Sequence, residues 1–540
     1  MKKLEKNLKD LLEKRVGLLT WLLVFLSMIF LRSFVEQFLA VSKSLTILET
    51  LMEFIHNAYF FCLTILLVWL FLSLLLRVKP QKLSYILIFS MALIIVPPFI
   101  DMLKINGQIY WSFYLLSAPS DLWKQYITIF GHLPSGIVYF GTKIVFLAAI
   151  FSVAVMTWIM TKSLVRAVLA IIGTYSVVFF MSAFPSFFYY AYVFLTKSDK
   201  VASVHSFEIA AFFSSPEKIF GVLFPSFQYT LAYKLNYIYF ILLLVFLGVL
   251  FYLISRKKFI AVLKNLRLPQ VVYHCGIFLV GMGLGFLQYR NNFRLDIFSV
   301  LAALILLISV VLSWVASVVV NDLNDIRIDE ISNADRPLPK NIFSVEEYFQ
   351  FGVVCFFLAV LGGITIGLPF AVLLVVYQVL AWFYSAVPFR LKKFPIVATF
   401  VSAAASLIVL SLGFILMSDN QTIHTLSWRV IFLLLLAYTL SLPLKDFKDI
   451  EGDKEDGVWT IPVIFGEKKG RLVVSIGVFI CYVLSVFVLN EMRLFFWSMI
   501  FGAVTFLVIN NEKIKPRNLP AWVLGIVCLY SAILVGIIFG

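Results

Sequence analysis

Apolar runs of 18 or more residues recur along the whole 540-residue chain, and a run of that length is what a helix needs to cross the hydrocarbon core of a bilayer. Six fit in the first half, at about 18–34, 59–76, 83–100, 137–161, 165–188 and 237–254. Nine fit in the second, at about 271–287, 297–320, 348–368, 370–387, 396–417, 430–444, 472–489, 495–509 and 521–539. Composition agrees, with 62% hydrophobic and 14% charged residues, where soluble domains are nearer half and a quarter. The expected fold class is an all-α polytopic membrane protein of about 15 transmembrane helices.

A formal charge of +15 would suggest nucleic acid in a soluble chain. Here the Lys and Arg residues collect between the apolar runs, at Lys2–Arg15, Arg77–Lys82, Lys162–Arg166 and Arg256–Lys264. They mark loops on the cytoplasmic side, in contact with anionic lipid. The expected partner is the lipid bilayer, with no nucleic acid. An N-terminus inside and six crossings put all four basic runs on that side. The opening MKKLEKNLKDLLEKR is charged and amphipathic, unlike a cleavable signal. Five cysteines, Cys62, Cys275, Cys355, Cys481 and Cys528, lie in apolar segments without CxxC spacing and read as small buried hydrophobes. The domain expectation is a six-helix membrane domain at 1–255 with no catalytic constellation, a basic amphipathic linker at 256–270 on the inner leaflet, and a nine-helix domain at 271–540. Nothing in the sequence sets an oligomeric state.

Against this apolar background two short windows are anomalous. Residues 321–335 and 446–456 carry Asp322, Asp325, Asp329, Glu330, Asp335, Asp446, Asp449, Glu451, Asp453, Glu455 and Asp456, which is 11 of the chain's 29 acidic residues. If the helix ending near Val320 continues, Asn321, Asp325 and Asp329 recur every four residues and share one narrow stripe. Asp449 and Asp453 repeat the spacing, with Asp446 one turn earlier. All-oxygen ligands suit Mg²⁺, which bridges carboxylates to phosphates. Two such sets at the membrane surface would hold a lipid diphosphate through Mg²⁺, its tail running down between helices. The bland alternative is a pair of solvated loops with helix-end charges; two equivalent placements weigh against it. Asp335 and Arg336 read either as a structural pair or as part of the site. An ion or lipid transporter is the alternative from another class, but that needs carboxylates near the bilayer midplane, not at span ends.

These residues resemble the motifs of the UbiA-type intramembrane prenyltransferases. Asn321, Asp322, Asp325 and Asp329 match NDxxDxxxD, followed by the DRPLP-like tail Asp335–Pro339. Lys445, Asp446, Asp449, Gly452, Asp453, Gly457, Thr460 and Pro462 match the second, KDxxDxxGDxxxGxxTxP-like run. Tyr384 to Lys392 match a tyrosine-serine and basic loop between them. The resemblance covers about 270–540, departing at Lys340, where a small residue is common. It implies Mg²⁺ held by Asn321, Asp322, Asp325, Asp329, Asp446, Asp449 and Asp453, with Asp325, Asp329, Asp449 and Asp453 as the catalytic carboxylates. Asn321, Arg336, Tyr384, Arg390, Lys392 and Lys445 would bind the diphosphate of an isoprenyl diphosphate. The implied reaction ionises that substrate to an allylic cation and prenylates a membrane-associated acceptor, an aromatic quinone precursor or geranylgeranylglyceryl phosphate. A related branch transfers phosphoribose to a polyprenyl phosphate and is the alternative.

Overall fold

The computed structural model describes residues 2–14, 16–39, 47–105, 115–129, 140–224, 227–455 and 457–539. Among them fifteen helices are long and apolar enough to cross a membrane, the number the apolar runs predicted. By their contacts they fall into two units, Met1–Ile219 with Leu223–Phe259, and Phe220–Val222 with Ile260–Gly540.

The first unit holds α1 (Leu18–Leu39), α2 (Glu49–Leu76), α3 (Pro80–Leu103), α4 (Phe140–Thr161), α5 (Leu164–Ser182) and α6 (Tyr229–Ile254). Helix α2 packs on α1, α5 and α6. Several polar side chains inside these spans pair with one another, because an unpaired polar group has no water to turn to in a bilayer. His56 Nδ1 meets Asn236 Oδ1 at 2.9 Å, Gln37 donates to Glu53 at 3.2 Å, and Arg32 pairs with Glu36 at 2.6 Å. Asp101 accepts from the Gly141 backbone N–H at 2.7 Å and ties the end of α3 to the start of α4. Glu208 caps the helix Ser206–Ser214 by accepting from the His205 backbone N–H, so this pair closes a helix end.

The second unit holds α7 (Leu268–Gln288), α8 (Ile297–Asn324), α9 (Val345–Ile366), α10 (Leu368–Ser385), α11 (Pro395–Met417), α12 (Trp428–Lys448), α13 (Ile461–Leu489), α14 (Met492–Asn510) and α15 (Pro516–Ile537). Neighbours in sequence pack together from α8 to α15, and α7 returns to lie along α11. That last contact is made by glycine. A Cβ on Gly281 would stand 2.0 Å from the Leu410 carbonyl oxygen, and one on Gly413 would stand 2.0 Å from that of Phe278. Small residues let membrane helices approach backbone to backbone, and a carbonyl cannot rotate away as a side chain can. Gly413→Val should therefore cost about 1–3 kcal/mol by overpacking, read as a lowered melting temperature in detergent; an unchanged melt would show that the helices separate freely. Beneath the second acidic segment, Leu444 and Phe447 are buried with Val474, Val478 and Tyr482, which fixes that segment on α13.

Candidate active site

Helix α8 stops at Asn324. Asp325 leaves helical geometry (φ −117°, ψ 21°), and a seven-residue helix, Ile326–Ser332, begins beyond it. The continuous stripe expected from the spacing is thus broken: Asn321 lies on α8, Asp325 is the junction, and Asp329 stands in the first turn of the short helix. The second acidic segment has the same form. A 3₁₀ turn, Leu442–Lys448, gives way at Asp449 (φ −114°, ψ 15°) to the six-residue helix Ile450–Glu455. In each, the aspartate four residues on donates its backbone N–H to the junction carbonyl at 2.9 Å, Asp329 to Asp325 and Asp453 to Asp449. The two short helices pack against each other. Two broken helices with matching junctions therefore bring their carboxylates together.

The physical cause of the first break lies in the loop after α10. The Asp325 carboxylate pairs with Lys392 and, at 3.2 Å, with Arg390, while Asn321 donates to its other oxygen at 2.7 Å. Asn321 also reaches Ser385 Oγ at 3.5 Å. Burial pulls the Lys392 ammonium below the usual lysine range despite Asp325 beside it. Arg336 binds Asp329 and, at 3.1 Å, Asp322. Asp335 instead points to solvent, 97% exposed, and pairs with Lys340; the Asp335–Arg336 pair considered from sequence does not form. In the second segment Lys445 donates to Tyr384 Oη at 2.9 Å and lies 4.9 Å from its ring centre. Asp449 has Lys448 at 3.6 Å, and Asp453 accepts from Thr460 at 3.4 Å. Asp446 stands one turn before Asp449 in the 3₁₀ turn. Asp456 lies outside the described residues. A cavity of about 310 Å³ opens beside the junction, lined by Leu323–Ile328 and Arg390.

Asp322 has a different surrounding from the other acids. It is 1% exposed, and both oxygens are taken by protein donors. Oδ1 receives Arg267 at 2.6 Å and Arg336 at 3.1 Å; Oδ2 receives Asn265 and the Tyr348 hydroxyl, both at 3.0 Å. Asn265, Arg267 and Tyr348 were not singled out from sequence. Arg267 lay in a basic stretch assigned to lipid, and no local signal distinguishes a lysine-rich surface from an arginine that folds back 55 residues later onto an aspartate.

Among the described residues no three or more His, Cys, Asp or Glu side chains stand together as a metal cage. The donor chemistry nevertheless fits a hard divalent cation. Burial pushes the Asp329 carboxyl up to about 6 against the pull of Arg336. Burial, with Asp446 and Asp449 nearby, pushes Asp453 up to about 7. Carboxyls raised by burial in this way ionise readily only with a cation beside them, and all-oxygen donors are what Mg²⁺ takes.

The fold and the site define a polytopic membrane protein with a two-segment aspartate site at the ends of its helices. Residues 276–535 match the UbiA prenyltransferase family. The digeranylgeranylglyceryl phosphate synthase of Sulfolobus acidocaldarius is 32% identical over 160 residues, covering 29% of this chain and 55% of that protein. The protein of the same name from Methanosphaera stadtmanae is 25% identical over 163 residues, covering 30% and 57%. The chain thus spans little more than half the length of these curated relatives. A UbiA homologue from Archaeoglobus fulgidus, solved bound to DMAPP and Mg²⁺, aligns at a TM-score of 0.40 and 19% identity, covering 50% of this chain and 96% of that one.

Proposed function

We propose that the second unit transfers a prenyl group from an isoprenyl diphosphate to the hydroxyl of a glycerol-phosphate lipid precursor at the cytoplasmic membrane face. The observation that carries this is the packing of the two short helices that follow the junction aspartates Asp325 and Asp449, with Lys392 within electrostatic reach of Asp325 and Asp453 and Arg336 within reach of Asp329 and Asp449. Relatives named for digeranylgeranylglyceryl phosphate favour the lipid acceptor over an aromatic one. Bound by Asn321, Asp325, Asp329, Asp446, Asp449 and Asp453, Mg²⁺ would stabilise the charge that develops on the departing diphosphate. Asp322, with both oxygens engaged, is assigned to positioning Arg336 instead of to the metal.

Lys392 and Arg390 pair with Asp325, Arg336 with Asp329 and Asp322, and Lys445 with Tyr384. Were a metal diphosphate bound, the carboxylates would hold the metal, and Lys392, Arg390 and Arg336 would face the phosphate oxygens as preorganised charge. Apolar helices below exclude water from the allylic cation. Basic residues at Phe389–Lys393 and Lys445–Lys448 support a cytoplasmic site. Residues 1–255 are a separate membrane domain joined through 256–270.

Purified full-length protein should convert labelled geranylgeranyl diphosphate and geranylgeranylglyceryl phosphate to the ether product only with a divalent metal. Metal-independent turnover, or none with any isoprenyl diphosphate, would overturn the proposal. The raised Asp329 and Asp453 set a pH dependence. Because the folded protein binds more protons than the unfolded chain between about pH 4 and 7, the metal-free protein should lose stability as pH rises through that window. Metal binding needs the ionised carboxylates, so stabilisation by Mg²⁺ should be larger at about pH 8 than at about pH 5. Melting curves with and without Mg²⁺ check it; equal shifts at both values would contradict it.

A further inference from the structure

A histidine deep among membrane-spanning helices is expensive and marks function or a specific partner. His274 is such a residue on α7, 5% exposed. Its Nδ1 is 2.7 Å from the Gln270 carbonyl oxygen, and its Nε2 is 3.1 Å from the Tyr377 hydroxyl on α10. A carbonyl only accepts, so Nδ1 carries the hydrogen, and in the neutral ring Nε2 is then the lone pair that receives the Tyr377 proton. Ser317 on α8 stands beside Tyr377 while its hydroxyl donates to the Trp314 carbonyl at 2.7 Å, and the Trp314 ring centre lies 4.7 Å from that of the imidazole. Three helices thus converge on an imidazole hydrogen-bonded to a tyrosine.

Its depth relates it to the aspartate site. Ser317 precedes Asn321 by one turn of α8, about 6 Å at 1.5 Å per residue, and Tyr377 precedes Ser385 by about 12 Å of α10. Arg267, at the start of α7, holds Asp322, and His274 lies about two turns further in, roughly 10 Å. A diphosphate seated among the aspartates with its tail inward would bring its reacting carbon toward the level of the tyrosine.

We propose, on the basis of the prenyl-transfer reading above, that Tyr377 and His274 form the proton relay that removes the acceptor's hydroxyl proton. The bond between the allylic carbon and diphosphate breaks, its electron pair leaving with diphosphate. A lone pair of the acceptor oxygen forms the new C–O bond. The acceptor's O–H proton passes to Tyr377 Oη while the tyrosine's own proton passes to His274 Nε2. Products are the ether, diphosphate and an imidazolium, which returns its proton to diphosphate or water before the next turnover. Tyr377 meets the acceptor; His274 acts through it and sets its orientation.

The test separates proton removal from ionisation. Full-length His274→Gln and Tyr377→Phe proteins are assayed in two ways with Mg²⁺. The first is transfer from geranylgeranyl diphosphate to geranylgeranylglyceryl phosphate. The second is positional exchange of ¹⁸O between bridging and non-bridging positions of geranylgeranyl diphosphate, which reports ionisation and return without an acceptor. Transfer should fall about 100-fold or more in both variants, the range of general-base loss, while exchange stays within about threefold of wild type. Transfer kept within about threefold in both, or transfer and exchange falling together, would overturn the relay, the second result assigning the pair to helix packing. Wild-type protein that exchanges but does not transfer to the hydroxyl acceptor would also overturn it and leave the diphosphate site standing. Wild-type protein that does neither would overturn the prenyl-transfer reading itself.

Discussion

Replacement of Asp325 by alanine should lower turnover by about a thousandfold or more, an effect of the size seen when charge-stabilising groups are removed from the reacting centre. Donor binding should change far less. Asp325 is the junction of the first broken helix and pairs with Lys392, Arg390 and Asn321. Lys392 is 9% exposed at its side chain, so alanine leaves a buried ammonium without its partner. A diphosphate oxygen can fill that place, which offsets part of what the lost carboxylate contributed to holding the metal. Single-turnover kinetics should therefore show the loss in the chemical step, with the donor's dissociation constant within about tenfold of wild type. Asp325→Asn, which keeps shape and one hydrogen-bonding oxygen, should be nearly as impaired. Full turnover in the asparagine variant would show that the residue serves Lys392 and not the metal.

What the sequence made legible follows from which interactions are local. Hydropathy is a property of each segment alone, so the span count could be read directly, and the two aspartate motifs stood out against an apolar chain. The break at Asp325 could not be read, because four-residue spacing is also what an unbroken helix shows. It is set by Lys392 and Arg390, more than 60 residues away in sequence. The same applies to the tail of the first motif. Asp335 and Arg336 are adjacent, yet the chain turns one to solvent and the other onto Asp322 and Asp329. His274 and Tyr377 sit 103 residues apart in runs that read only as membrane spans, and His56 with Asn236 is concealed in the same way in the first unit.

Asp322→Ala should lower stability more than any other single change in the first motif, by about 3–5 kcal/mol, the cost of removing one partner from a buried ion pair. The resemblance groups Asp322 with the metal ligands; on the proposed reading its four donors make it the post on which the site is hung. Alanine would leave two guanidinium groups, Arg267 and Arg336, together with the Tyr348 hydroxyl and the Asn265 amide, facing an empty position. Arg336, freed from one of its two acids, would bind Asp329 alone and compete more strongly with the metal. Activity should therefore fall along with the melting temperature, and a higher Mg²⁺ concentration should recover part of it. Removing Arg267 as well should restore some stability, because the double variant no longer buries that unpaired charge. A metal ligand would behave otherwise: turnover would be lost in Asp322→Ala with the metal-free melting temperature unchanged or raised, since removing a crowded carboxylate relieves repulsion. Melting Asp322→Ala and Asp322→Ala/Arg267→Ala without metal, beside activity at graded Mg²⁺, decides between the post and the ligand.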